Sequence, residues 1–180
     1  NMVDTLKKTK YFQYTKPFIV HRLDKETSGT FLIAKNRESA QFFTSLFRIR
    51  KIHKTYIALV YGTVNKSIKI MKDNLIYYEN NKKITQKAIS NLKVIKASEG
   101  YSYLELNPIT GRKHQLRKQL LNIGCPIIGD DKYFLNNMKR IKNKNLMLHA
   151  YKIKFMINNV QYNFKAKYNK SFENFLNKNF

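Results

Sequence analysis

Tryptophan is absent from the 180 residues, and cysteine occurs once, at Cys125. A single thiol excludes an internal disulfide, and a lone cysteine ordinarily packs as a small buried hydrophobe. Glycine is scarce, at six residues. Neither Gly-x-x-x-x-Gly-Lys-Ser/Thr nor Gly-x-Gly-x-x-Gly occurs, so no loop is laid out to cradle the phosphates of ATP or a dinucleotide. The histidines, His21, His53, His114 and His149, are scattered, and none lies at metal-ligand spacing from another His or from Cys125. The 11 acidic residues are dispersed, which argues against a two-metal nuclease. Any chemistry is therefore expected to need no metal and no organic cofactor. No apolar run approaches the ~18 residues of a membrane span, and the N-terminus has no continuous apolar segment of the kind a secretory signal needs. The expectation is a cytoplasmic monomer with no membrane partner.

What the chain does have is positive charge: 35 Lys and Arg against 11 Asp and Glu, a net +24. Such a balance favours a polyanionic partner, because each phosphate contact releases condensed counterions. The excess is mostly Lys and is accompanied by abundant Asn, a pattern that A/T-rich coding also produces, so charge alone leaves the partner open. Hydrophobic residues make up 43%, with 12 Phe and 12 Tyr, enough for one real core in one domain.

Residues 1–16 read as a loop or short helix, followed by a strand from Phe18 to Leu23, a loop from Asp24 to Gly29 and a strand from Phe31 to Lys35. Asn36 can cap a helix from Arg37 to Ile49. Lys54 to Tyr61 is rich in β-formers. Residues 65–87 read as short β-runs broken at Asn80-Asn81 and Lys82-Lys83. Ala88–Ala97 and Tyr101–Asn107 form a hairpin, in which Ser102, Leu104 and Leu106 share one face. Thr110 can cap a helix from Gly111 to Ile123, with Gly124 as its stop. A second hairpin pairs Met147–Ile157 with Val160–Lys167. A short amphipathic helix, Ser171–Leu176, follows. The Lys/Asn-rich stretch from Asn136 to Asn145 reads as a solvated loop. Hairpins with a few helices between them predict an α+β fold with a largely antiparallel, mixed sheet.

Asp24 stands at the end of a β-like run and at the mouth of a polar loop, Lys25-Glu26-Thr27-Ser28-Gly29. A carboxylate so placed is held by the strand yet open to a ligand, although Asp at a strand end commonly just caps a turn. If the strand continues, Arg22 shares a face with it.

The segment His21-Arg22-Leu23-Asp24-Lys25-Glu26-Thr27-Ser28-Gly29 resembles the active-site motif of the RluA family of pseudouridine synthases, most of all its RluC/RluD branch. Three further segments agree in order: Lys54 to Gly62 with its Tyr56; Pro108 to Arg117 followed by Gly124 to Tyr133; and Leu148-His149-Ala150. The resemblance spans residues 18–165 and implies that the chain isomerises uridine in RNA, with large-subunit ribosomal RNA as the expected partner.

It further implies that Asp24 is the catalytic carboxylate, attacking C1′ of the ribose or taking a proton from C2′. Arg117 would pair with Asp24 and hold it. Tyr56 would stack on uracil, its oxygen being a candidate for proton transfer at C5. Arg22 would fill the gap left in the RNA stack by a flipped uridine. Thr27, Arg112, Lys113 and His114 complete the expected RNA-contacting set, with Lys113 and Arg117 on one helical face. Lys113 and Lys118-Gln119 depart from the family's usual Thr and Val-His. Strands ending in Asn-Lys-Pro-x-Gly, and the S4 RNA-binding domain often found before them, are not visible. The expectation is a single catalytic domain over residues 1–180, with the completeness of its N-terminal strands left open. A basic RNA-binding module without turnover would account for the charge equally well, but has no need of Asp24, Tyr56 and Arg117.

Overall fold

A computed structural model of the chain describes residues 2–136 and 145–180. The chain enters through α1 (Met2–Lys7), then β1 (Phe18–Ile19), β2 (Ser28–Gly29) and β3 (Ile33–Ala34). β1 pairs only with β3, and the long strand expected from Phe18 to Leu23 ends at Ile19. Beyond it, residues 20–27 follow an irregular path, closed at Asp24–Thr27 by a turn in which the Thr27 N–H donates to the Asp24 carbonyl at 3.0 Å. Arg22 and Asp24 therefore do not share a strand face.

Asn36 starts α2 (Arg37–Arg48) as expected: its side-chain oxygen accepts from the Ser39 N–H at 2.8 Å. Phe43, Leu46 and Phe47 project from this helix onto Ile52, Ile153 and Phe155, forming a small core of their own.

β4 (His53–Tyr61) follows, with Thr55 to Val60 buried. β5 (Ile70–Glu79) and β6 (Lys82–Ser98) form one long hairpin. The break expected at Asn80-Asn81 is the turn of this hairpin: at φ 47° and 62° the two asparagines supply its left-handed residues. No break falls at Lys82-Lys83, which open the 17-residue β6. β7 (Tyr101–Pro108) returns with Ser102, Leu104 and Leu106 fully buried. α3 (Gln115–Asn122), β8 (Leu148–Ile157), β9 (Val160–Lys165) and α4 (Lys170–Asn179) complete the chain. The second hairpin turn again uses two left-handed asparagines, Asn158 and Asn159. The expected loop from Asn136 to Asn145 lies largely outside the described residues.

The strands form a seven-stranded sheet in the order β2-β8-β4-β7-β6-β5, with β9 also paired to β8. Only β2 runs parallel to its neighbour. This is the expected α+β fold with a mixed, largely antiparallel sheet. Leu116 and Leu120 of α3 and Phe172 and Phe175 of α4 join the main core over β4, β7 and β8. Gln119 is fully buried among them, and its amide answers the Ser90 hydroxyl, Asp73 and two backbone carbonyls.

Two local features fix the region that matters for function. The β4–β8 register shifts between Thr55 and Tyr56, so that Thr55 faces Lys152 and Tyr56 faces Ala150. A bulge of this kind re-aims the neighbouring side chains. Gly29, at φ 115°, lies against the backbone of Ala150, where an added Cβ would fall 2.2 Å from the carbonyl oxygen. Only glycine allows the segment carrying Asp24 to dock this closely on β8.

Candidate active site

A cleft of about 350 Å³ opens where the Asp24 loop, the start of β4 and residues 108–116 meet. That volume suits a nucleoside. Asp24 lines it together with Arg22, Thr27, Lys54, Tyr56, Arg112, Lys113 and His114. Among the described residues Asp24 is the one acid in the lining, and the remaining formal charges there are cationic.

Asp24 is partly open, with its side chain 18% exposed, and the His114 Nε2 lies 3.8 Å from its Oδ1. His114 adopts a left-handed backbone, φ 52°, immediately before α3. Its Nδ1 bonds to the Tyr133 hydroxyl at 2.9 Å. Burial lowers the His114 pKa, the Asp24 charge opposes that shift, and Arg117, Lys132 and Lys113 reinforce it. Tyr133, His114 and Asp24 thus form a row leading into the cleft.

Tyr56 is buried at the cleft wall, near enough to Asp24 for the carboxylate to act on its phenol. Burial first, and the Asp24 charge second, push the phenol pKa well up. Tyr56 is therefore a neutral ring with an intact O–H at any physiological pH, able to stack and to donate, but not present as phenolate.

Arg117 is buried, as a structural partner must be, but the expected pair with Asp24 is not formed. Its Nε and Nη2 each reach an oxygen of Asp130 at 2.7 Å, and Nη2 lies 3.5 Å from Asp131. The bidentate Asp130 contact satisfies the fork, so Arg117 acts on Asp24 only through its field. Asp130 also accepts the backbone N–H groups of Lys132 and Tyr133, which seats Tyr133 beside His114. Asp130 and Tyr133 lie within the third motif, yet no spacing rule in the sequence assigns them these partners.

The helix expected from Gly111 begins at Gln115. Gln115 is the cause: its side-chain oxygen accepts from the Thr110 hydroxyl and the Arg112 N–H, at 2.7 and 3.0 Å, and its amide donates to Ser90 and the Ile89 carbonyl. Residues 110–114 are held as a loop over β6, so Lys113 and Arg117 do not share a helical face. Arg112 and Lys113 still face the cleft, and Lys113 is exposed. Arg22 is exposed at the cleft edge, where a side chain must stand to enter a nucleic-acid stack. The Thr27 hydroxyl is buried with no partner among the described residues.

His21 is an anchor for the loop. Its Nε2 accepts the Leu32 N–H at 2.8 Å, and its ring stacks on Phe47 and meets Phe31. Burial, helped by the Lys54 charge, lowers its pKa to about 4. Lys54 lines the cleft, and burial lowers its pKa too. In the sequence Lys54 stands out only as the start of a β-rich segment, and the cleft gives it a place of its own. Among the described residues no three His, Cys, Asp or Glu side chains converge as metal ligands, and no helix is long and apolar enough to cross a membrane.

The fold is that of pseudouridylate synthase domains. A family model described as RNA pseudouridylate synthase matches residues 2–122, and the chain belongs to that family. It is 40% identical over 145 residues to the ribosomal large subunit pseudouridine synthase C of Rickettsia felis, covering 73% of this chain and 46% of that one. It is 36% identical over 147 residues to the ribosomal large subunit pseudouridine synthase D of Borreliella burgdorferi, covering 77% and 44%. The chain thus spans about half the length of these curated relatives. Among solved structures, human RNA pseudouridylate synthase domain containing 4 superposes with a TM-score of 0.79 at 25% identity, over 98% of this chain and 80% of that one. The RluA-family resemblance read from the motifs is borne out.

Proposed function

We propose that this chain isomerises uridine to pseudouridine in RNA, with large-subunit ribosomal RNA as the substrate. The observation that carries the reading is the placement of Asp24. Among the described residues it is the one acid lining a nucleoside-sized cleft that is otherwise cationic and walled by the neutral ring of Tyr56. The names of the relatives support the substrate class, and such a substrate implies a cytoplasmic setting.

In the reaction the N1–C1′ bond breaks, the uracil turns, a C5–C1′ bond forms, the C5 proton leaves and N1 gains one. Asp24 acts at the ribose, as nucleophile at C1′ or as base at C2′. Tyr56 holds the base by stacking and offers its O–H; to take the C5 proton the phenol must pass its own proton on, and the Asp24 carboxylate is the anion that acts on it. Arg22 supports the vacated stack, while Arg112, Lys113 and His114 border the entry. Arg117, locked by Asp130, supplies positive potential without occupying the carboxylate.

RNA carrying 5-fluorouridine separates this reading from that of a basic RNA-binding module. An enzyme processes or traps the fluorinated base in an Asp24-dependent way. Recovery of the RNA unchanged, by a chain that isomerises ordinary uridine in no RNA tested, leaves only the binding module.

A further inference from the structure

Beside the Asp24 cleft lies a second hollow of about 230 Å³, between the C-terminal end of α2 and residues 108–112. Phe47, Lys54, Pro108, Thr110, Gly111 and Arg112 line both, so the two hollows share a wall. Their chemistry differs. Among the described residues the second hollow has no acid in its lining, and Arg48, Arg50, Lys54 and Arg112 converge on it. Neither Arg48 nor Arg50 forms an ion pair among the described residues, and both are exposed.

Arg50 occupies a costly position. α2 ends with the Lys51 N–H bonded to the Leu46 carbonyl at 2.9 Å and the Arg50 N–H to the Phe47 carbonyl at 3.2 Å. This termination needs a left-handed residue, ordinarily Gly or Asn. Arg50 fills it at φ 59°. Cations are favoured near a helix C-terminus, but one placed earlier in the last turn gains that without backbone strain. The strained position brings a second guanidinium to the hollow beside Arg48. Lys54, in the shared wall, is a partly desolvated cation for which an incoming anion would compensate.

We propose that this hollow is a subsite for an RNA phosphodiester flanking the flipped uridine, with Arg48, Arg50 and Lys54 as its ligands. The inference rests on the reading of the first hollow as the uridine site. A nucleoside placed there remains joined to its neighbours through the ribose, and the adjoining hollow lies on one path open to a flanking phosphate. Arginine forks match phosphate oxygens bidentately, whereas Lys54 contributes a point charge.

The test compares binding of a short single-stranded oligouridylate, and of its uncharged methylphosphonate analogue, across a salt series. The proteins are the wild-type chain, the double variant Arg48→Ala/Arg50→Asn, and a control, Lys66→Ala/Lys69→Ala, at the opposite end of β4. Asn tolerates the left-handed backbone, so the helix end is kept. Each single-strand phosphate contact adds about 0.7 to the slope of log affinity against log salt. The groove variant should therefore lose about 1.4 of slope and bind the charged oligomer about tenfold or more weakly, while the control changes far less. With the methylphosphonate oligomer, wild type and groove variant should bind alike. An unchanged slope in the groove variant, or an equal loss in the control, overturns the subsite. A chain that makes pseudouridine but shows no groove-dependent slope sinks this subsite alone. A chain that shows the slope but makes no pseudouridine sinks the enzymatic reading and leaves a phosphate site standing.

Discussion

Arg117 presents both edges of its fork to Asp130, with Nε and Nη2 each 2.7 Å from a carboxylate oxygen, and leaves Asp24 to face His114. The pair is buried, with the Asp130 side chain fully enclosed. Among the described residues no cation pairs with Asp24 as Arg117 pairs with Asp130, and Arg117 reaches it only through its field.

Removing one member of a buried ion pair leaves the other charged and unsolvated. Asp130→Ala should lower stability by about 3–5 kcal/mol, measured by urea unfolding. It should also release Tyr133 from its backbone anchor, weakening the contact to His114. A loss below about 1 kcal/mol, the range of an exposed pair, would contradict the buried role.

Tyr56→Phe keeps the ring and removes the hydroxyl. RNA affinity should be retained, and turnover should fall by about 10²-fold or more, the usual scale for a positioned proton-transfer group. Tyr56→Leu should lose both. Because burial raises the phenol, the wild-type rate should show no limb from Tyr56 ionisation at or below about pH 10. Pre-steady-state rates at saturating RNA are the appropriate readout.

His21 is held neutral in the folded protein, with a pKa of about 4 against an ordinary 6.5. The native state therefore refuses a proton that the unfolded chain accepts. This contribution is fully present above about pH 6.5 and is lost as pH falls toward 4. His21→Gln keeps an acceptor for the Leu32 N–H and does not titrate. The stability difference between wild type and variant should shrink by about 2–3 kcal/mol over that window. A difference that stays constant with pH would show that His21 does not titrate in this way.

Gly29→Ala places a methyl group into the Ala150 carbonyl on a backbone that disfavours side chains. Strain and overlap together should cost about 2–5 kcal/mol, with loss of activity as the Asp24 loop lifts from β8. Thermal unfolding with and without RNA gives the answer. A folded variant with unchanged melting would mean the close approach is not required.

The sequence exposed the parts of this molecule that are local. Asn36 and its helix, the alternation of Ser102, Leu104 and Leu106, and the Asp24 and Tyr56 motifs each depend on a few neighbouring residues. What it concealed depends on choices between distant partners. Arg117 had two acids available, and only the path of residues 124–130 brings Asp130 to its fork. The start of α3 depended on Gln115, whose side chain answers Thr110 and β6 in place of a helical turn. Asn80-Asn81 read as an interruption because a turn residue looks the same in a tight hairpin as in a loop, and β6 shows which it is. Lys54 and Phe47 acquire their meaning only where the two hollows share a wall.

On the proposed function, Asp24 performs the isomerisation within this cleft. The direct measurement is release of tritium from RNA labelled at C5 of uridine, followed by nucleoside analysis for pseudouridine, with wild type and Asp24→Ala compared at equal RNA occupancy. Tritium release and pseudouridine are expected with wild type, and neither above background with Asp24→Ala, whose salt-dependent RNA binding is preserved. Tritium release by Asp24→Ala at the wild-type rate would contradict that role of Asp24.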